Sequence, residues 1–582
     1  MSASMPWLTL IVLSPLAGAL LLAFVPSEHK EAHRMVGGFF ALLSLLFFLP
    51  VAAGFDASQA GLQFTTAAEN AAWIPSIGAR YHLGIDGLSL WLVGLTTVLG
   101  VVAAMAGVTS IQTASRTYYA GLLTLLTAVL GALCSVDLLL FALFWELMLL
   151  PLALLVGSWG DRQRVAAATK LFVITLVCSM PMMAAIFYLW VKGGSTSFDL
   201  ADIAATAQGL PVGVQQALFL AFCLAFFVKL PIPPLHTWLP EAHAQTSTAG
   251  SFVLGAIVFQ AGTYGLVRFA MPLFPDAVYW AAPAIGILSV IAIVYGAIIA
   301  VTQRDMKKMI AFSSVSHLGF ITLGLFAINQ VGVTGALVQS LAHSVTAGAL
   351  FLLAGVLIDR YESRSVDDYG GLAAKMPVFA VLFVFLIMAY AGVPGLIGFV
   401  GEFLVLAATA GSWAFSLNPG NAHFGSLPTG PDTTALILAF VAGLRVVVGA
   451  IYLLGLTKRL MLGSITGSRF SKATDVTWAE AAPLLPLVLL SLWVGLQPGF
   501  FTSRMDASVK GLLSGLVEHS TLAKETAETM AGQQSDVESW NRDGRSPEAW
   551  PLQRKQAAAN GEAPAAEGSA AQPGAAHQGG HP

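Results

Sequence analysis

The stretch FFVKLPIPPLHTWLPEAH, Phe226 to His243, sits inside a long apolar run yet carries Lys229 followed by prolines at 231, 233 and 234. Proline has no N–H and breaks a helix. The carbonyls it frees must meet water or polar groups, because lipid cannot satisfy them. A charged, deliberately broken segment in an apolar chain therefore points to a polar cavity within a membrane. The rest of the chain agrees. Of 582 residues, 56% are hydrophobic and only 10% are charged, whereas charged residues make up about a quarter of a soluble domain. The class is an all-α polytopic membrane protein. The net charge of −3 gives no reason to expect a nucleic-acid partner.

Apolar runs long enough to span predict about 14 transmembrane helices, near 6–25, 35–53, 86–108, 117–134, 138–157, 168–191, 214–245, 251–271, 278–301, 308–327, 332–357, 377–410, 432–457 and 480–500. The first lacks a basic flank and is long enough to span, so it reads as a helix rather than a signal peptide. Basic residues support the count. Loops after odd-numbered spans hold sixteen of the 28, including Arg304, Lys307 and Lys308. The even side holds three, Arg80, Lys192 and Arg268. This bias places the odd loops in the cytoplasm and both termini on the opposite, periplasmic side, as expected for a bacterial-type inner membrane.

Beyond residue 500, Val509, Leu512, Leu513, Leu516 and Val517 share a helix face, which suggests a short amphipathic helix at the membrane surface. From about 533 the chain is polar, then rich in Ala, Gly and Pro, and reads as disordered; His577 and His581 there read as inert. Cys134, Cys178 and Cys223 form no CxxC pair and read as buried small residues. No phosphate loop, haem-attachment motif or zinc motif occurs, so no cofactor or metal is expected in this chain.

Ionisable groups within spans cost about 2.5–3.5 kcal/mol or more each, and are functional candidates for that reason. Glu146 lies mid-span in LLLFALFWELMLLPLALL with no cation within a turn, and Lys229 is its natural partner. A pair whose separation changes would swing Lys229 between charged and neutral, the physics of a proton switch; a static ion pair is the alternative. About 165 residues later, AYAGVPGLIGFVGEFLVL holds Pro394, three nearby glycines and Glu402. Two broken helices, each with an ionisable group, in corresponding halves match the pattern of inverted-repeat transporters. His236 and His243 flank the first break, and His317 and His343 lie in apolar spans between the breaks. Imidazole suits a proton relay, although a lone histidine is more often a satisfied core residue. Arg445, in LAFVAGLRVVVGAIYLL, stays charged and must face a carboxylate or water.

The motifs YHLGIDGLSLWLVGLTT, FWELMLLP, VKLPIPPLHTWLPEAHAQTSTAGS, AFSSVSHLGF and GVPGLIGFVGEF resemble the antiporter-like subunits of respiratory complex I and of multisubunit Na+/H+ antiporters, over about residues 5–500. The polar tail after residue 500 favours the M-type branch over a sister branch with a long lateral helix. The resemblance implies three N-terminal helices (1–110), two inverted five-helix repeats (111–275, helices 4–8; 276–462, helices 9–13) with discontinuous helices 7 and 12, a fourteenth helix (463–505) and a tail (506–582). It further implies that Glu146 and Lys229 form the ion pair of a cytoplasmic half-channel, that His317 and His343 lie on a central hydrated axis, and that Glu402 is nearest the exit. One position departs. The family places a lysine in the eighth helix, in a stretch similar to GILLKTAAYGL; here GAIVFQAGTYGL puts Gln260 there. Glutamine hydrogen-bonds but takes up no proton near neutrality. Arg445 is a candidate replacement for the missing charge.

The function these features imply is a proton-translocating membrane subunit of a complex I-type NADH-quinone oxidoreductase. FMN, iron–sulfur clusters and quinone would belong to partner subunits, and L- and N-type chains would be membrane neighbours. The alternatives are a cation/proton antiporter subunit, or an energy-coupling subunit of a hydrogenase or inorganic-carbon uptake complex, with coupling modified at Gln260.

Overall fold

The computed structural model describes residues 5–415, 433–463 and 474–521. The expected polar tail from 533, with His577 and His581, lies outside the described residues. Thirteen described helices are long and apolar enough to cross a membrane. The one remaining expected span, the twelfth (377–410), is present as two shorter apolar helices, Pro377–Tyr390 and Ile397–Ala410. The architecture is thus the expected helical membrane bundle.

Burial divides the bundle. Spans Thr248–Leu273, Met306–Phe326 and Gln330–Tyr361 are almost wholly enclosed by other helices. Trp7–Phe24, Lys30–Gly54, Arg164–Lys192, Thr433–Met461 and Trp478–Leu496 lie outside them and turn Phe24, Phe39, Met180, Phe440 and Leu489 outward. Apolar side chains on such outer faces are what a bilayer solvates. The inner helices approach closely through small residues, as membrane helices do. A Cβ built on Gly401 would lie 2.4 Å from Gln339 Oε1 and 2.7 Å from Gln339 Cα. Gly401→Ala is therefore expected to push Ile397–Ala410 off Gln330–Tyr361 and to destabilise the bundle by about 1–3 kcal/mol, the usual cost of overpacking. Thermal unfolding of the assembled complex would read this as an earlier transition.

The two expected breaks are real. Val212–Lys229 ends at Lys229, and the chain resumes as Trp238–Gln245. The Trp238 indole donates to Val228 O (3.0 Å), satisfying a carbonyl freed by the break. Tyr390 and Ile397 flank the second break. There Gly392 (φ 79°) and Gly395 (φ 88°) take left-handed conformations that a side chain would strain.

Three features differ from the sequence expectation. First, two further spans are interrupted. Pro151 cannot donate to Leu147 O, and the fifth span bends at Met148 between Leu138–Leu147 and Leu149–Ser158. The eighth passes through Thr248–Ala256, Phe259–Gly265 and a π-helical turn, Leu266–Ala270, a form frequent at functional sites. Second, the second and third helices are joined by a two-stranded antiparallel hairpin, Asn70–Ile74 with Ala79–His82. Asp137, just outside the spans, ties this hairpin to the fifth helix. Its carboxylate caps Leu140 N (2.9 Å) and accepts from Arg80 N (3.1 Å). Burial nevertheless pushes that carboxyl above its ordinary range. Third, the amphipathic helix forms as Asp506–His519, but it packs on the protein. Ser508 Oγ accepts from Gly87 N (2.9 Å), and Val509 and Leu516 are buried.

Two residues counted as loop charges are also buried. Lys307 donates to Thr246 O (2.7 Å). Arg268 pairs with Asp86 at 2.5 Å and donates to Tyr264 OH (3.1 Å). Both lie at the ends of spans, where spacing alone does not separate a solvated charge from an enclosed one.

Candidate proton-transfer axis

Lys229 is buried at the end of its broken helix. Its ammonium lies 3.7 Å from Met148 Sδ and 4.9 Å from the Trp145 ring centroid, within cation–π range. Glu146 stands in the same bend as Met148, half-buried, with Oε1 free of any hydrogen-bond partner among the described residues. No salt bridge joins Glu146 to Lys229 in this structure, so the pair expected from the sequence is seen in a separated arrangement. Glu146 and Met148 stand at the interruption next to Pro151, and Met148 and Trp145 contact the ammonium.

Gln260 lies on the next inner helix. A Cβ at Gly262, two residues on, would be 3.3 Å from Lys229 Cβ, so the two helices touch at this level. The Gln260 amide oxygen accepts from Thr96 Oγ1 (2.8 Å), and its nitrogen donates to Ser344 Oγ (3.2 Å) and Ala256 O (3.3 Å). Ser344 adjoins His343, whose ring centroid lies 5.9 Å from that of His317. Neither ring nitrogen of His343 has a hydrogen-bond partner among the described residues.

His317 opens a buried charged cluster. Its Nδ1 lies 3.1 Å from Glu402 Oε1 and 3.2 Å from Gln339 Nε2, and its ring lies 4.1 Å from that of Tyr390. The Arg445 guanidinium donates to both Glu402 oxygens, at 2.5 and 2.7 Å, and touches His317 through its other nitrogen. Arg445 thus faces a carboxylate, as its burial requires. Its positive charge sits on Glu402 and His317 rather than on Gln260.

The flanking histidines stand apart from this chain of contacts. His236 Nε2 lies 3.3 Å from Tyr295 OH. His243 stacks on Phe351 (4.0 Å, 1°), with both nitrogens unpartnered among the described residues. Sequence reasoning missed Thr96, Gln339, Ser340, Ser344 and Tyr390. A usable signal was present in one case: Gln339, Ser340, His343 and Ser344 recur one helical turn apart and form a polar stripe in an apolar helix.

Comparison with known proteins bears on the family of the chain. Residues 135–418 match the family model described as "NADH:quinone oxidoreductase/Mrp antiporter, TM". The chain is 38% identical to NADH-quinone oxidoreductase subunit M of Rhodobacter capsulatus over 89% of this chain and 99% of that one. It is 35% identical to NADH-ubiquinone oxidoreductase chain 4 of Arabidopsis thaliana, over 88% and 96%. Among solved structures, a chain of respiratory complex I from Thermus thermophilus superposes with a TM-score of 0.75 at 30% identity, covering 88% of this chain and 99% of that one.

Proposed function

Because the chain belongs to the family of antiporter-like membrane subunits that includes NADH-quinone oxidoreductase subunit M, we propose that it moves protons across the membrane as part of such an oxidoreductase, along Lys229, Gln260, Ser344, His343, His317 and Glu402. The observation that carries this reading is the run of buried polar groups through the most enclosed helices, from Lys229 to the Arg445–Glu402 pair. Buried polar atoms are normally hydrogen-bonded. The free nitrogens of His343 suit bridging by water, which would complete a path for protons.

Movement of Glu146 relative to Lys229 biases the ammonium between holding and releasing its proton. The separated pair seen here corresponds to the releasing arrangement. Gln260 carries no proton of its own; it holds Thr96 and Ser344 in line so that the proton passes beside it. His343 and His317 receive the proton, and Glu402 passes it on while Arg445 stabilises the carboxylate. The five-helix segments 111–275 and 276–462 form two half-channels that meet at His343. The odd loops face the cytoplasm, L- and N-type chains flank the subunit, and FMN, iron–sulfur clusters and quinone reside in partners. The named relatives favour this reading over a free-standing cation/proton antiporter or a hydrogenase- or carbon-uptake role.

Gln260 supplies the test. Gln260→Leu breaks the Thr96–Gln260–Ser344 connection, and redox-driven proton transfer through this subunit is expected to slow by about tenfold. Gln260→Lys keeps a donor to Ser344, and at least half the wild-type transfer should remain. Proteoliposomes with a pH-sensitive dye measure both. Full pumping by the leucine variant would contradict a path past residue 260.

A further inference from the structure

A cavity of about 560 Å³ opens behind the proposed axis. Its walls come from Lys30–Gly54 (Phe48, Ala52), Leu90–Ser110 (Leu95, Val98) and Gln330–Tyr361 (Leu341, Val345), and Trp493 and Arg504 stand at its rim. The floor is almost wholly apolar, and the volume lies within the range of about 300–1,000 Å³ typical of small-molecule sites. The rim differs from the floor. The Arg504 guanidinium lies 4.0 Å from the Phe500 ring centroid and 5.8 Å from that of Trp91, and Nη1 donates to Phe500 O (2.8 Å). Among the described residues no carboxylate pairs with it, in contrast to Arg268 with Asp86 and Arg445 with Glu402. Trp91 donates its indole N–H to Phe501 O (3.1 Å). The rim is therefore a half-buried cation held among aromatic rings, on the same side of the bundle as the 70–82 hairpin.

A greasy slot closed at one end by an unneutralised arginine and amphipathic indoles complements one kind of molecule: an apolar chain joined to an anionic head. We propose that this cavity is a binding site for an anionic phospholipid, with one acyl chain inside and its phosphate on Arg504. A neutral, uncharged-headed molecule would leave the guanidinium unpaired. The position gives such a lipid consequences for the axis, and this part rests on the reading above. Leu95 precedes Thr96, the partner of Gln260; Leu341 and Val345 flank His343 and Ser344; and Ile397, also in the cavity wall, begins the helix that carries Glu402. The acyl chain would lie against all three of these helices.

The test uses the assembled complex in nanodiscs with phosphatidylglycerol bearing a diazirine near the end of one acyl chain. Leu341 and Val345 are buried in the protein, so a probe labels them only from inside the cavity. Labelling there is expected to be stronger with phosphatidylglycerol than with the phosphatidylcholine analogue, whose choline partly offsets its phosphate charge, and to be absent with a diacylglycerol analogue, which has no phosphate. Arg504→Gln should reduce it about tenfold, the weight of one charge-assisted hydrogen bond. Ala52→Trp, which fills the slot, should abolish it. Absence of labelling at Leu341 and Val345, or a crosslink from this cavity to a neighbouring subunit, overturns the site. Equal labelling by phosphatidylcholine, undiminished by Arg504→Gln, overturns the anionic headgroup. None of these outcomes depends on whether protons move through Lys229, which the pumping assay decides separately.

Discussion

Arg445→Leu is expected to cost about 3–5 kcal/mol of folding stability, the usual penalty for removing one partner of a buried ion pair. The reason lies in what remains. Glu402 accepts two short hydrogen bonds from Arg445, and its surroundings are otherwise His317 and the Gln339 amide. Without the guanidinium, an ionised carboxylate would stay in an enclosed site with little compensation. The double variant Arg445→Leu with Glu402→Gln removes both charges, and much of the stability should return. A double-mutant cycle on thermal unfolding of the complex measures the coupling. Equal loss in the single and double variants would show that Arg445 stabilises by packing alone. Pumping should fail in both, because each disables the proposed last relay.

Lys229→Met is expected to slow proton transfer through this subunit by about 10²-fold or more, within the range a positioned acid–base group contributes. Methionine approximates the length of the lysine chain, and Met148, Trp145 and Phe226 already form an apolar wall there. The variant should therefore assemble normally, and its defect should lie in transfer rather than in folding. Lys229→Arg tests the chemistry further. It keeps the positive charge, but arginine does not release its proton in proteins, so it should not rescue transfer. Rescue by arginine would mean that Lys229 acts only as a fixed charge. Glu146→Gln should give a milder defect, since Glu146 modulates the switch from outside hydrogen-bonding distance.

The parts of this arrangement visible in the sequence are those written in local chemistry. Prolines 231, 233, 234 and 394 with Gly392 and Gly395 mark both broken helices, and each break appears where they stand. The spans follow from run length because a bilayer imposes that length. The interruption at Met148 has an equally local cause in Pro151, but a single proline in a strongly apolar run is common in membrane helices and does not by itself mark a break. What could not be read is whatever depends on segments distant in the chain. Arg445 and Glu402 are 43 residues apart, and Gln260 and Thr96 are 164 apart. No spacing rule joins them. The sequence shows that Arg445 must face a carboxylate or water, but only packing shows that the carboxylate is Glu402. The 70–82 hairpin escaped notice because its strands are short and form part of a connection between two much stronger helical signals. Lys307 looked like one more cytoplasmic loop charge because it sits in the first turn of its helix, and only the enclosing helices reveal its burial.

The most direct test of the account is the number of protons translocated per NADH oxidised by proteoliposomes that hold the complete complex with Lys229→Met, against wild type. The ratio is expected to fall while the assembled complex still reduces quinone. An unchanged ratio in a fully assembled Lys229→Met complex would contradict proton transfer through Lys229.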